Sequence, residues 1–383
     1  MAPRRSPGRR FLPAKTVVAS LAALVLGVLA LRSHFTAVLE FRNGELQAAS
    51  YRLAEDDFLH PRLRLLRTRE RLDEVVASGK TQFDKIVLLR EWAHRQWETG
   101  RRFRYPCWDA VEILDLARNH GNRAFCVQYA VVLLQACQSL GIHARYLNLP
   151  GHFVTGVWSD DFSRWLVMDP LRDVHYEVGG VPLGGWELNK AWRRKAWQNI
   201  WVVGPAGARR RVTAEDLASY SSYSINIDAN QLSKPVSYWH NGKVGALVRE
   251  ADYRNYPVIG RDTLVFWNKY LVWRPRGDAS PMTEGVVSFD PDDFRYPENQ
   301  TVMLYQRCRG HEDRFFVRLV AENSSTFKGF QVRFGDGAWV KSPDRFDWTL
   351  NPGVNRLSCR ILTSFGWTGP ESRMSIFYWP SLF

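Results

Sequence analysis

The chain has 383 residues, enough for two or three domains, and its 45% hydrophobic and 13% aromatic content exclude general disorder. Its formal charge of +13 is scattered, with no zinc spacing, RNA-binding signature or long Lys/Arg block, so no nucleic-acid module is expected. The charge reads as solvated surface, biased toward an anionic envelope or membrane. Five cysteines, an odd number, suit one reactive thiol plus up to two pairs in an oxidising compartment.

Residues 1–14 carry Arg4, Arg5, Arg9 and Arg10, and after Lys15 an uncharged apolar run extends from Thr16 to Leu31. With Lys15 and Arg32 free to snorkel, residues 15–32 are expected to form a single transmembrane helix. The arginines hold the N-terminus inside, so everything after Arg32 is expected in the periplasm or outside the cell. The alternative is a cleaved signal peptide, with Val28-Leu29-Ala30 as a tolerable cleavage site; Arg9-Arg10-Phe11-Leu12 also loosely resembles a twin-arginine export signal. Residues 33–59 read as a linker.

From Thr81 to Thr99, Phe83, Ile86, Val87, Leu89, Ala93 and Trp97 line one helical face with Thr81 as a cap, although Arg90 interrupts that face. Tyr105-Pro106 breaks the chain before a second helix, Asp109 to Arg118. Asn119-His120-Gly121-Asn122 then delivers Cys126 to the start of a third, on which Val127, Ala130, Val131, Leu134 and Cys137 form a buried stripe ending at Gly141. Unpaired N–H groups and the positive end of the dipole make a helix start a setting in which cysteine becomes a usable nucleophile.

Strands Ile142–Leu149, Gly151–Trp158 and Arg164–Asp169 follow, the last two joined by a hairpin loop over 159–162. If Trp158 pairs with Ser163, His152 falls directly opposite Asp169. At that spacing a carboxylate can accept the ring N–H of a histidine, leaving the other nitrogen for a thiol proton. A lone cysteine beside an apolar helix face is more often inert core, and a lone histidine or aspartate more often structural. The juxtaposition of His152 with Asp169, and Cys126 at a helix start, make the three candidates for a catalytic triad, with no cofactor and no metal expected. His143, Cys137 and Arg145 remain structural.

Trp186, Trp192, Trp197 and Trp201 surround the basic cluster Arg193-Arg194-Lys195, a spacing that fits a packing face better than a sugar or anion platform. Residues 206–290, with a strand-like Thr263–Trp273, either wrap the core or form a bridging domain. In the tail, Phe315–Ala321, Phe330–Phe334, Trp339–Lys341, Phe346–Leu350, Asn355–Leu362 and Met374–Tyr378 are short strands between turns such as Asp336-Gly337 and Pro352-Gly353, the text of a β-sandwich.

The segments Trp108-Asp109-Ala110-Val111-Glu112-Ile113-Leu114, Phe125-Cys126-Val127-Gln128-Tyr129-Ala130, Leu140-Gly141-Ile142-His143-Ala144-Arg145-Tyr146, Gly151-His152-Phe153 and Met168-Asp169-Pro170 resemble the transglutaminase-like superfamily. The resemblance covers about a third of the chain. It implies an α+β, papain-like core with Cys126 as nucleophile, His152 as base and Asp169 as orienter. The implied chemistry is thiol-dependent acyl transfer or hydrolysis at an amide, acting as a cysteine peptidase, amidase or transglutaminase on envelope or extracellular protein or peptide. Ala124 stands where members usually have glycine, and Val127 where the animal cross-linking enzymes have tryptophan, which argues against assuming cross-linking. The stretch Trp348–Leu357 resembles immunoglobulin-like modules of bacterial exported proteins, and Cys308 and Cys359, flanking Trp339 and Trp348, loosely resemble their inter-sheet bridge; Cys107 and Cys137 read as buried thiols. The expected layout is therefore a basic tail (1–14), an anchor or signal (15–32), a linker (33–59), a catalytic domain (60–205), a bridging region (206–290) and an immunoglobulin-like sandwich (291–383). The competing reading is a non-catalytic envelope scaffold.

Overall fold

The computed structural model describes residues 35–43, 57–100, 108–221, 223–226 and 296–380, together with the backbone of short strands between 237 and 288. The expected anchor over 15–32 and Cys107 lie outside the described residues, among which no helix is long and apolar enough to cross a membrane.

The helices are α1 (Pro61–Arg69), α2 (Leu72–Val75), α3 (Gln82–His94), α4 (Ala110–Asn119), α5 (Cys126–Ser139), α6 (Gly185–Arg194) and α7 (Ala214–Ala218). Side chains set where they begin. Thr81 and Asp84 close a reciprocal capping box on α3, and Asp109 accepts the first free N–H groups of α4 while also pairing with Arg62. Helix α5 departs from the expected stripe: every residue from Val127 to Ser139 is buried. It is a central helix, with α1, α3 and α4 packed around it and a sheet beneath.

That sheet is built on β2 (Ala144–Leu149), β3 (His152–Ser159), β4 (Arg164–Asp169) and β5 (Val174–Val178), with β6 (Val181–Pro182), β7 (Trp201–Val203) and β8 (Arg209–Arg211) beyond β5. On its other edge, β9 (Tyr223–Asn226) pairs with β2. A separate pair, β10 (Ser237–His240) and β11 (Lys243–Ala246), follows. Then β12 (Thr263–Trp267), β13 (Tyr270–Arg274) and β14 (Val286–Ser288) continue the sheet outward from β9. Strands β9 and β12–β14 of 206–290 thus extend the core sheet among the described residues. Trp186, Trp192 and Trp197 pack on the sheet's second core, and Trp192 stacks on Trp197, the packing role expected of them.

The tail forms two sheets around one core. The first runs β18 (Val340–Ser342), β17 (Phe327–Phe334), β20 (Gly353–Thr363), β21 (Ser372–Trp379), and the second β15 (Gln300–Arg307), β16 (Arg314–Glu322), β19 (Arg345–Thr349). Inward residues of both, including Val317, Leu319, Val332, Cys359 and Ile376, fill the space between them. Residues expected in the linker supply the outer strand of the first sheet: β1 (Phe35–Arg42) pairs antiparallel with β21, with a bulge at Leu39. The bridge between Cys308 and Cys359 is not formed, and all four described cysteines are free. Cys359 lies at the centre of β20 in the core, whereas Cys308 sits in the β15–β16 turn, bonded through its N–H to Arg314.

The sandwich docks on the C-terminus of α5. The indole of Trp367 donates to the carbonyl of Leu140 (2.8 Å), satisfying a helix-end acceptor. Gly141 takes φ +74°, and a Cβ there would lie 2.2 Å from the Phe365 ring. Gly141→Val is therefore expected to cost about 3 kcal/mol, from left-handed strain and a clash at a packed junction. Urea denaturation checks this, and a loss under about 1 kcal/mol would show that the junction yields.

Candidate active site

Cys126 is the first residue of α5, His152 the first of β3 and Asp169 the last of β4. The register joining the two strands is Trp158 to Trp165 and Thr155 to Met168, two residues off the expected alignment. His152 and Asp169 are thus diagonal rather than directly opposed. A shift of two preserves the face of every side chain, and diagonal neighbours remain within reach. The His152 Nε2 lies 2.7 Å from Asp169 Oδ2. The other carboxylate oxygen, Oδ1, accepts the backbone N–H of Arg172 at 3.1 Å.

With Nε2 committed to Asp169, the Nδ1 side of the ring is left for Cys126, whose side chain favours the protonated ring. Burial of His152 acts to lower its pKa. The bonds to Asp169 and Cys126 outweigh it and raise the pKa from the usual 6.5 to about 9. His152 is buried and Asp169 almost fully so, while Cys126 remains half-exposed. Cys126 is therefore the least buried of the three. The first N–H groups of α5 have no partner within the helix and point toward that end. Burial pushes up the thiols of Cys137 and Cys359, the latter to about 12.

The raised pKa of His152 has a consequence for stability. The folded state binds this proton more tightly than the unfolded one, so the stabilisation is complete below about pH 6.5 and is lost as pH rises through about 9. Urea midpoints are expected to fall across that window, and His152→Gln to flatten the fall. An equally steep decline in the variant would assign it to another group.

Helix α3 fixes the turn after Asp169 by two residues one helical turn apart. His94 Nδ1 lies 3.1 Å from the carbonyl of Pro170, and its ring stacks on Tyr129 of α5. Arg90, fully buried, donates through Nε to Asp173 (2.7 Å) and through Nη1 to His175 Nδ1 (2.6 Å). Because Arg90 only donates, His175 accepts at Nδ1 and carries its proton on Nε2, which lies 2.9 Å from Glu177. Burial, with Arg90 assisting, lowers the pKa of His175 against the pull of Glu177. Glu177 in turn binds Arg209. The sequence signal for this network was Arg90 itself, a cation on an apolar helix face, together with the acid and histidine spaced along residues 173–177. Arg145 and His143, read from the sequence as structural, sit in packed surroundings. Arg145 stacks over Trp165 at 3.9 Å; burial lowers the pKa of His143 to about 4, despite a bond to Asn299, and its ring packs edge-on to Phe58.

Residues 69–170 match the family model described as the transglutaminase-like superfamily. This region forms a transglutaminase-like core. Cys126, His152 and Asp169 all fall inside it, as do α3 and α5. Among solved structures, the chain is similar to a red sea bream transglutaminase, at 10% identity and a TM-score of 0.27, with 92% of this chain and 77% of that one covered; no argument is drawn from that likeness. A comparison with curated proteins gives no match.

Proposed function

We propose that the transglutaminase-like core is a thiol-dependent acyltransferase or hydrolase acting on amide bonds of envelope or extracellular proteins or peptides. The observation that carries this reading is the grouping of a half-buried Cys126 at a helix start with His152, whose pKa both Cys126 and Asp169 raise, and a buried Asp169 bonded to His152. Cys126 sulfur attacks the amide carbonyl carbon, and the N–H of Cys126 at the helix start stabilises the oxyanion. His152 takes the thiol proton and delivers it to the departing amine nitrogen as the C–N bond breaks, leaving a thioester. Water or a second amine then attacks the thioester, giving hydrolysis or transfer. Asp169 holds the ring in orientation and supports its positive charge.

Val127, in place of a tryptophan beside the nucleophile, favours water as the second substrate. The arginine-rich tail and apolar run support a single-pass protein of the cell membrane with its bulk outside the cytoplasm. Protease added to spheroplasts is then expected to digest the region after Arg32, and full protection would reverse that placement. The reaction is tested by incubating the protein with a peptide-amide library and a fluorescent primary amine. A hydroxylamine-labile acyl adduct on Cys126 with release of the free acid supports hydrolysis, fluorescent product supports transfer, and no adduct on Cys126 overturns both.

A further inference from the structure

The outer face of the sandwich sheet carrying β1 divides sharply by chemistry. Phe35 pairs with Trp379, Ala37 with Phe377, and Phe377 with Val354, so these side chains share one face. Their neighbours Ile376 and Tyr378 point into the core. Phe35 is 57%, Val354 53% and Trp379 43% exposed, and the Phe35 and Phe377 rings lie side by side with centroids 6.3 Å apart. Farther along the same face come the pairs Glu40 with Ser375, Ser375 with Arg356, and Arg42 with Arg373. Arg373 is shared with Glu371. One end of the face is thus aromatic and aliphatic, and the other mainly basic.

The chain enters this sheet at the apolar end. Only Ser33 and His34 separate Arg32, which closes the apolar run, from Phe35, and the three residue steps between Arg32 and Phe35 span at most about 10 Å when extended. Whatever surface holds the run must therefore lie within that distance of Phe35. The headgroup zone of a bilayer is roughly 5–8 Å deep on each side, and tryptophan and phenylalanine edged by arginine are the chemistry such a zone accepts. A second copy of the chain fits less well, because four apolar side chains fall far short of the 20–30 residues a side of a stable interface.

We propose that Phe35, Val354, Phe377 and Trp379 rest against the lipid headgroup layer of the membrane that holds the N-terminal run, with Arg42, Arg356 and Arg373 facing anionic headgroups. The proposal rests on the reading of residues 16–31 as membrane-inserted and is independent of the chemistry at Cys126. The sandwich, added to the core through Trp367 and Leu140, then sets the core's height above the bilayer instead of leaving it on a free tether.

The test reconstitutes the full chain in vesicles of phosphatidylcholine and phosphatidylglycerol containing a photoactivatable phospholipid and maps the adducts by mass spectrometry. Adducts are expected in 16–31 and also at Phe35, Val354 and Trp379. The combined substitution Phe35→Ser, Val354→Ser and Trp379→Ser, all outward-facing, is expected to remove the second group and leave the first. Adducts confined to 16–31 would overturn the proposal, and so would cross-links joining two protein copies through this face. Absence of all adducts, with release of the protein by alkaline carbonate, would overturn both the proposal and the anchor beneath it. Alkylation of Cys126 in the same sample reports separately on the site.

Discussion

Cys126→Ala is expected to reduce turnover by about four orders of magnitude or more while leaving the fold intact. The large loss follows from the mechanism: without the sulfur no thioester forms, and what remains is binding and oxyanion stabilisation. Retention of the fold follows from the half-exposed position of Cys126, in contrast to Cys137, which is fully buried in the main core. His152→Ala is expected to fall nearly as far. The two losses should not add, because each residue acts through the other. Steady-state rates on any amide substrate found by the screen, with circular dichroism of each variant, check this. Turnover within tenfold of the parent in Cys126→Ala would remove the sulfur from the reaction.

Arg90→Met is expected to destabilise the protein by about 3–5 kcal/mol, because it leaves the Asp173 carboxylate and Glu177 side of a buried network without their central cation. The geometry makes the effect larger than that of an exposed pair such as Arg71 with Glu74, whose removal should cost under about 1 kcal/mol. Arg90 also sets the turn that follows Asp169, one helical turn from His94 on Pro170. Turnover in Arg90→Met should therefore fall at temperatures where the fold is still intact, whereas a purely remote support would leave the folded fraction fully active. Urea denaturation and rates measured well below the midpoint separate these outcomes. A stability loss below about 1 kcal/mol would mean that water replaces the guanidinium.

Features governed by local chemistry were the ones legible in the sequence. The Thr81 cap, the helix opening at Asp109, the αL glycine at 141 and the turn-bounded strands of the tail depend on residues a few positions apart, and they formed close to where expected. Hairpin counting brought His152 to Asp169 even though the register was two residues off, because side-chain direction repeats every two residues and only an odd slip would have separated them. Features that depend on distant partners were hidden. Strand β1 has no hydrophobic alternation of its own, with most of its residues exposed, and exists through pairing with β21 more than three hundred residues later. Burial of α5 on all sides could not be read from its stripe, since Gln128, Gln135 and Gln138 look like a solvent face. Gln135 and Gln138 are buried and spent on backbone partners at Ala110, Trp108 and Ala144. Arg90 looked like a flaw in an apolar face because its partners lie eighty residues away.

The central claim is that Cys126, His152 and Asp169 act as one unit, and selective alkylation tests it most directly. The protein is treated with iodoacetamide near neutral pH and the modified cysteines are mapped by mass spectrometry, in the parent and in His152→Ala. Modification concentrated at Cys126, and slowed when His152 is removed, is the expected result. An unreactive Cys126, or one whose rate ignores His152, would contradict the account and leave the fold as a scaffold without this chemistry.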